Sequence, residues 1–337
     1  MNCIKENRNI DIDVMKGIGI LLVVIGHMVW PFSTNQLIYS FHMPLFVCLS
    51  GVVFNPFKLY KNIINILYLY FLWGFIIILL YTLLYTHSIQ NFFEQLLHLF
   101  LGASANAFVI EHSAAFWYLT CILIIEIIFC LANRTIHPII VSVLSTIIGL
   151  VLFKMKEQIT IPYNIDVAFF LYPFFSLGNL YGNKILQFFL KYKFDSRLLI
   201  LAAILSFMFI NIPNGYINIY RGKYGNNVIL YYLQGVFGTL MVYFITTILH
   251  KKIKSFLMYL GQNTVFILVT HQFFQYTIYS RYIPPNANTL KECVVITFIS
   301  ILMLVAIMCI ETVGIILLQK YAPFLLSCKS IRRISIR

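Results

Sequence analysis

IINILYLYFLWGFIIILLYTLLY, residues 63–85, runs for 23 positions without Asp, Glu, Lys, Arg or His. A helix of that length covers about 34 Å, enough to cross a hydrocarbon layer of about 30 Å. A soluble core helix shows a polar face within two turns, and this stretch shows none. It is read as a membrane span.

Working outward, similar runs recur on both sides. The chain divides into ten expected spans: Val14–Phe32, Leu37–Phe54, Ile63–Tyr85, Ala114–Ala132, Pro138–Phe153, Ile165–Gly182, Arg197–Ile212, Val228–Leu249, Thr264–Tyr282 and Cys293–Leu318. Residues 91–101 (NFFEQLLHLFL) alternate apolar and polar positions at helical spacing and are read as a helix on the membrane surface. Of the 337 residues, 61% are hydrophobic and 10% charged, and the mean hydropathy of +0.87 excludes an ordinary soluble domain. The expected fold is an all-α polytopic bundle of about ten transmembrane helices. It forms a single domain over residues 1–337, ending in a basic cytosolic tail at 319–337.

With the N-terminus inside, 18 of the 24 Lys and Arg residues fall in cytosolic segments and 6 in outer ones. That split follows the positive-inside rule with both termini cytosolic. The net charge of +13 therefore faces lipid headgroups, and no nucleic-acid partner is expected. The first span carries His27, is followed at once by a second span and lacks a small-residue cleavage pattern, so it is not expected to be a signal peptide. The seven cysteines show neither CxxC nor metal spacing. A bacterial inner-membrane location is expected.

Polar groups inside spans are costly and mark chemistry. His27 and His42 lie about seven residues before and after the uncharged connection near Thr34 and Asn35, so an antiparallel helix pair sets both imidazoles at one depth near the outer face. Pro44 sits in an early turn of the second span, where it is tolerated. In RNIDIDVMKGIGILLVVIGH, residues 8–27, Lys16 and His27 are eleven positions apart and share a helix face. Asp13 lies near that face, or pairs with Lys16 at i, i+3. Asp166 opens the sixth span, either orienting a histidine or capping its helix. His271 lies near mid-membrane as a third imidazole, and Glu126 and Glu311 are read as partnered structural acids.

Arg8, Asp13, Lys16 and His27 resemble the opening motif of the acyltransferase 3 family of integral-membrane O-acyltransferases, with Lys16 in place of a second Arg. FHMPLFVCLSG (41–51), FWYL (116–119), IDVAFFLYPFFSLGNL (165–180) and YLGQNTVFILVTH (259–271) are similar to further motifs of its fucose 4-O-acetylase-like branch. The resemblance implies transfer of an acetyl group from cytosolic acetyl-CoA to a sugar hydroxyl. It implies that Arg8 and Lys16, with Asp13 in the same motif, serve the donor and that His27 is essential. Trp117 is followed by Tyr-Leu-Thr-Cys, so no carboxylate role carries over there, and no appended esterase-like domain is expected.

Elementary chemistry agrees with that reading. Cations at the inner mouth suit coenzyme A phosphates, and an imidazole suits removal of a hydroxyl proton, with His27 as base or transient acyl carrier. Ser50, Asn263 and Thr264 have groups able to donate to a tetrahedral oxyanion, and Trp117 and His271 are candidates for positioning substrate. No permanently bound cofactor or metal is expected. The expected partners are acetyl-CoA, the bilayer and a carbohydrate acceptor such as capsule, O-antigen or exopolysaccharide, with residues 86–113 as its surface. Two other classes fit the hydropathy. One is a transporter of a lipid-linked glycan. The other is a polyprenyl-phosphate-sugar glycosyltransferase, disfavoured because PFSTNQL (31–37) has no acid.

Overall fold

A computed structural model describes residues 9–30, 34–104, 108–156, 158–159, 161–192, 195–279 and 289–327. Arg8 and most of the expected basic tail lie outside these residues. The first half is built from α1 (Ile10–Gly26), α2 (Thr34–Tyr39), α3 (His42–Val53), α4 (Leu59–Tyr81), α5 (Ile89–Phe100), α6 (Trp117–Ala132) and α7 (Pro138–Met155). The second half holds α8 (Ile165–Leu177), α9 (Asn183–Tyr192), α10 (Ser196–Asn214), α11 (Val228–Ile248), α12 (Lys251–Gln262), α13 (Thr264–Tyr279) and α14 (Leu290–Tyr321). Between α10 and α11, β1 (Ile217–Asn218) pairs antiparallel with β2 (Lys223–Tyr224), a short hairpin in an otherwise helical multi-pass membrane protein.

Among the described residues, seven helices are long and apolar enough to cross a membrane. They sort by burial. The spans at Asn35–Val53 and Ala114–Ala132 bury 61% and 56% of their most apolar windows, against 22% at Pro138–Met155, Ser196–Asn214 and Leu290–Tyr321. The first two therefore belong to the interior and the last three form an outer wall against lipid. The expected spans that fall short of those seven are α1, α8 and α13. Their described residues are largely buried against protein.

The first helix illustrates this. Asn9 caps it by accepting from Asp11 N–H at 3.0 Å, and Asp11 and Asp13 suit the positive end of the helix dipole. It stops at Gly26, six residues before its expected end at Phe32. Stopping inside a bilayer leaves carbonyls without partners, which is tolerated only where side chains supply donors. Here Gln275 donates to the carbonyl of Val24, Trp30 to Ile25, Tyr39 to Gly26, Asn35 to Met28 and Ser300 to Val29.

Helices approach one another through glycines. A Cβ on Gly17 would meet the backbone carbonyl of Leu257, and one on Gly261 would meet that of Asp13, so α1 and α12 touch main chain to main chain. Gly51 and Gly178 bring α3 against α8 in the same way. Small residues at such crossings are how helices pack where lipid removes the hydrophobic drive between them. The amphipathic helices α9 and α12 have no counterpart among the expected spans. Each is too polar on one side to have registered as an apolar run.

Candidate active site

The early end of α1 leaves His27 as its C-cap, with φ −92° and ψ 1°, and its imidazole opens into a cavity of about 260 Å³. Lys16 lines the same cavity, about 16 Å back along the helix. Near Lys16, the walls include Ile20 of α1 and Thr264 and Val265 of α13. Beside His27 they are formed by Tyr39, His42 and Gln272. One cavity is thus lined by a cation at one end and two imidazoles toward the other.

The hydrogen bonds of those imidazoles determine where their protons sit. His42 Nδ1 lies 2.8 Å from the carbonyl oxygen of Ile38, which can only accept. Nδ1 therefore carries the hydrogen and Nε2 of the neutral ring carries the lone pair. Around His27 the bond runs the other way. Gln272 Oε1 accepts from the backbone N–H of Ala115 at 2.9 Å, which fixes the amide so that its nitrogen faces His27 Nδ1 at 3.2 Å. An amide nitrogen only donates, so the neutral His27 ring accepts at Nδ1 and bears its hydrogen on Nε2. The two cavity histidines are held in opposite tautomers.

Tyr39 joins them. Its ring lies 5.9 Å from that of His27 and 5.4 Å from that of His42, and its hydroxyl donates to Gly26 while standing 3.4 Å from His27 Nδ1. His271 packs behind, its ring 5.4 Å from His27. Its Nδ1 donates to Ile267 at 2.8 Å, and Nε2 is buried without a protein partner among the described residues. It is fully buried and does not line the cavity.

Other expected site residues divide. Ser50, Trp117 and Thr264 line the cavity, Ser50 within 3.2 Å of the Tyr118 hydroxyl. Asn263 does not; its amide donates to Tyr259 and its oxygen accepts from Gln319, tying α12 and α13 to α14. It is removed from the oxyanion set. Asp13 is buried and accepts from Gln262 at 3.3 Å, joining α1 to α12. Asp166 also departs from expectation. It is fully buried in a 2.6 Å ion pair with Lys156 and orients neither histidine; a carboxylate inside the bundle goes to the nearest buried cation. Glu311 is partnered as expected, accepting from Thr270 at 2.9 Å. Glu126 is also partnered, by the Asn62 side chain, and lines the cavity.

Among its described residues, the outer segment 86–113, expected to meet the acceptor, contributes none to the lining; on that side the described wall begins at Ala114. Its place is taken by Asn218, Ile219 and Tyr220 of the hairpin. Gln272, Tyr39 and Tyr220 lie outside the matched motifs or carry no charge at neutral pH, and so were missed. The rarity of amides within apolar runs would have singled out Gln272.

Comparison with known proteins gives a family and little else. A family described as an acyltransferase domain matches residues 9–317. A nodulation protein, NolL of Sinorhizobium fredii, is 42% identical over 57 residues, which is 14% of this chain and 16% of that one. The chain thus covers under a fifth of that relative's length. No solved structure matches.

Proposed function

Since the chain belongs to the acyltransferase family matched across residues 9–317, we propose that it is an O-acetyltransferase of the bacterial cell membrane. Acetyl-CoA is the donor and a sugar hydroxyl of a surface or lipid-linked polysaccharide is the acceptor. The observation that carries this reading is the single cavity lined by both Lys16 and the His27–His42 pair. A thioester on a long thin arm reaches from phosphates held at one end to chemistry at the other.

In this reading both termini are cytosolic, and Arg8 and Lys16 hold the coenzyme phosphates while the pantetheine arm runs along α1. The hydroxyl of the acceptor gives its proton to His42 Nε2, whose lone pair is left free by the bond from Nδ1 to Ile38. The hydroxyl oxygen attacks the thioester carbon, and charge develops on the carbonyl oxygen. His27, with its hydrogen on Nε2, is suited to stabilise that charge. Collapse breaks the carbon–sulfur bond. The thiolate recovers the proton from His42, giving an acetyl ester and free coenzyme A. His27, expected as base or transient acyl carrier, becomes the donor here because Gln272 already occupies its Nδ1 lone pair.

The test is transfer of labelled acetyl from acetyl-CoA to de-O-acetylated surface polysaccharide by the purified protein. Alkali-labile label on the polysaccharide is expected, and it should vanish in His27→Ala and fall about 10²- to 10⁴-fold in His42→Ala. Absence of transfer, or transfer that survives both substitutions, overturns the reading.

A further inference from the structure

Two aromatic rings line the cavity where the hairpin closes it. Tyr220 stacks on Trp117, with centroids 5.5 Å apart and planes 21° from parallel. The Tyr220 hydroxyl is buried without a protein partner among the described residues. Asn218, on the same hairpin and in the same wall, uses its carbonyl oxygen for Arg221 N–H and donates to the Tyr216 hydroxyl. An amide nitrogen carries two hydrogens, so one remains for a ligand.

The hairpin is held rigidly. Ile217 and Ile219 are buried in the core beneath it. Lys156, paired with Asp166, donates at 2.8 Å to the backbone carbonyl of Tyr220. At the other end, Asn214 donates to the carbonyl of Tyr224 and accepts from Asn227 N–H, while its own carbonyl accepts from Asn226. A loop tied at both ends presents its tip without paying for ordering when a ligand arrives.

From this wall we infer that Tyr220, backed by Trp117, is the subsite for the ring of a neutral sugar in the acceptor, with Asn218 reading one of its hydroxyls. A pyranose offers an apolar C–H face and a rim of hydroxyls, which an aromatic face, an unpartnered phenol and a spare amide hydrogen match. Lys16, toward the opposite end, is the only Lys or Arg among the described lining residues, and the Lys156 ammonium, 6.0 Å over the Tyr220 ring, is matched by Asp166, so this part of the wall suits a neutral ligand better than a phosphate. The inference rests on the acetyl-transfer reading for its acceptor, and binding can be measured apart from reaction.

The probes are de-O-acetylated polysaccharide from a strain lacking the gene, and oligosaccharide fragments of it, used with the full-length protein. Tyr220→Ala should raise the Michaelis constant for polysaccharide about tenfold and leave that for acetyl-CoA unchanged. Tyr220→Leu, which keeps apolar bulk, should behave alike if Tyr220→Ala proves unstable, and Tyr220→Phe should lose less. Calorimetric titration with the fragments should show binding to the wild type and weakened binding to Tyr220→Ala. Fragment binding that depends on Tyr220 without any acetyl transfer would sink the reaction but support the subsite. Transfer with an unaltered polysaccharide constant in Tyr220→Ala, or an equal change in both constants, would sink the subsite and leave the reaction standing. If neither binding nor transfer occurs in the wild type, both fall.

Discussion

Gln272 donates to His27 Nδ1 at 3.2 Å and is itself fixed by the backbone N–H of Ala115. The tautomer of His27 is therefore set by a residue 245 positions away. In nitrogen spectra of histidine-labelled protein, assigned by loss of a signal in His27→Ala, the His27 Nδ1 should appear unprotonated. Gln272→Glu replaces the donor with an acceptor and should move the proton to Nδ1. Transfer should then fall by about 10²-fold, the scale of losing one oxyanion donor. An unchanged Nδ1 signal in Gln272→Glu would remove Gln272 from this role.

Opposite tautomers predict unequal rescue. A glutamine side chain can donate a hydrogen but cannot take up a proton. His27→Gln should retain measurably more acetyl transfer than His27→Ala, whereas His42→Gln should be as poor as His42→Ala. The losses at His42 should be about 10²- to 10⁴-fold. His87→Ala, at an exposed site away from the cavity, should be nearly silent. Rescue at His42 and not at His27 would exchange the two roles.

The donor end is tested through the length of the donor. Lys16→Ala should raise the Michaelis constant for acetyl-CoA, with a much smaller effect for an acetylated pantetheine that lacks the nucleotide. Losses of equal size with both donors would mean that Lys16 does not read the phosphates.

Much of this was legible in the sequence, and the reasons for the rest are physical. Ala114–Ala132 is found with both its expected ends, since apolar length is a local property. That His27 and His42 would face one site was also readable from their even spacing about the connection near Thr34 and Asn35, and both line the cavity. The end of α1 at Gly26 was not, because the donors that satisfy its last carbonyls come from α2, α13, α14 and the loop after α1. Nor was the choice of Asp166 between a histidine and Lys156, which depends on how α7 meets α8. The hairpin at the cavity was hidden for the same reason: nothing in Asn218 or Tyr220 announces which helices it will lie against.

Main-chain contact between α1 and α12 should be intolerant of a methyl group. Gly17→Ala and Gly261→Ala each place a Cβ on a backbone carbonyl, where yielding means moving a helix. Each should cost about 1–3 kcal/mol, seen as a lowered thermal midpoint in detergent. Gly314→Ala is the control, because its Cβ would come no nearer than 3.4 Å to the Phe266 ring. Equal midpoints for all three variants would refute the close crossing.

The buried pair of Lys156 and Asp166 gives a double-mutant test. Lys156→Met alone or Asp166→Leu alone leaves one charge without its partner and should cost about 3–5 kcal/mol. Combining them should recover much of the loss, measured again by thermal midpoint. Additive losses would show that the two side chains do not depend on each other.

The donors that finish α1 also set a timetable for making the protein. Gln272, Gln275 and Ser300 reach His27, Val24 and Val29 across 245, 251 and 271 residues. When the ribosome has delivered the first helix, most of the chain that will complete its end is still unmade. Until α13 and α14 arrive, the unfinished end is best left near the headgroups, where water can serve the bare carbonyls. Chains cut short before residue 264 should therefore be recognised as faulty by membrane quality control, and should be degraded instead of surviving as inactive bundles. Assembly of the reaction centre then doubles as a check that synthesis has passed α13 and α14.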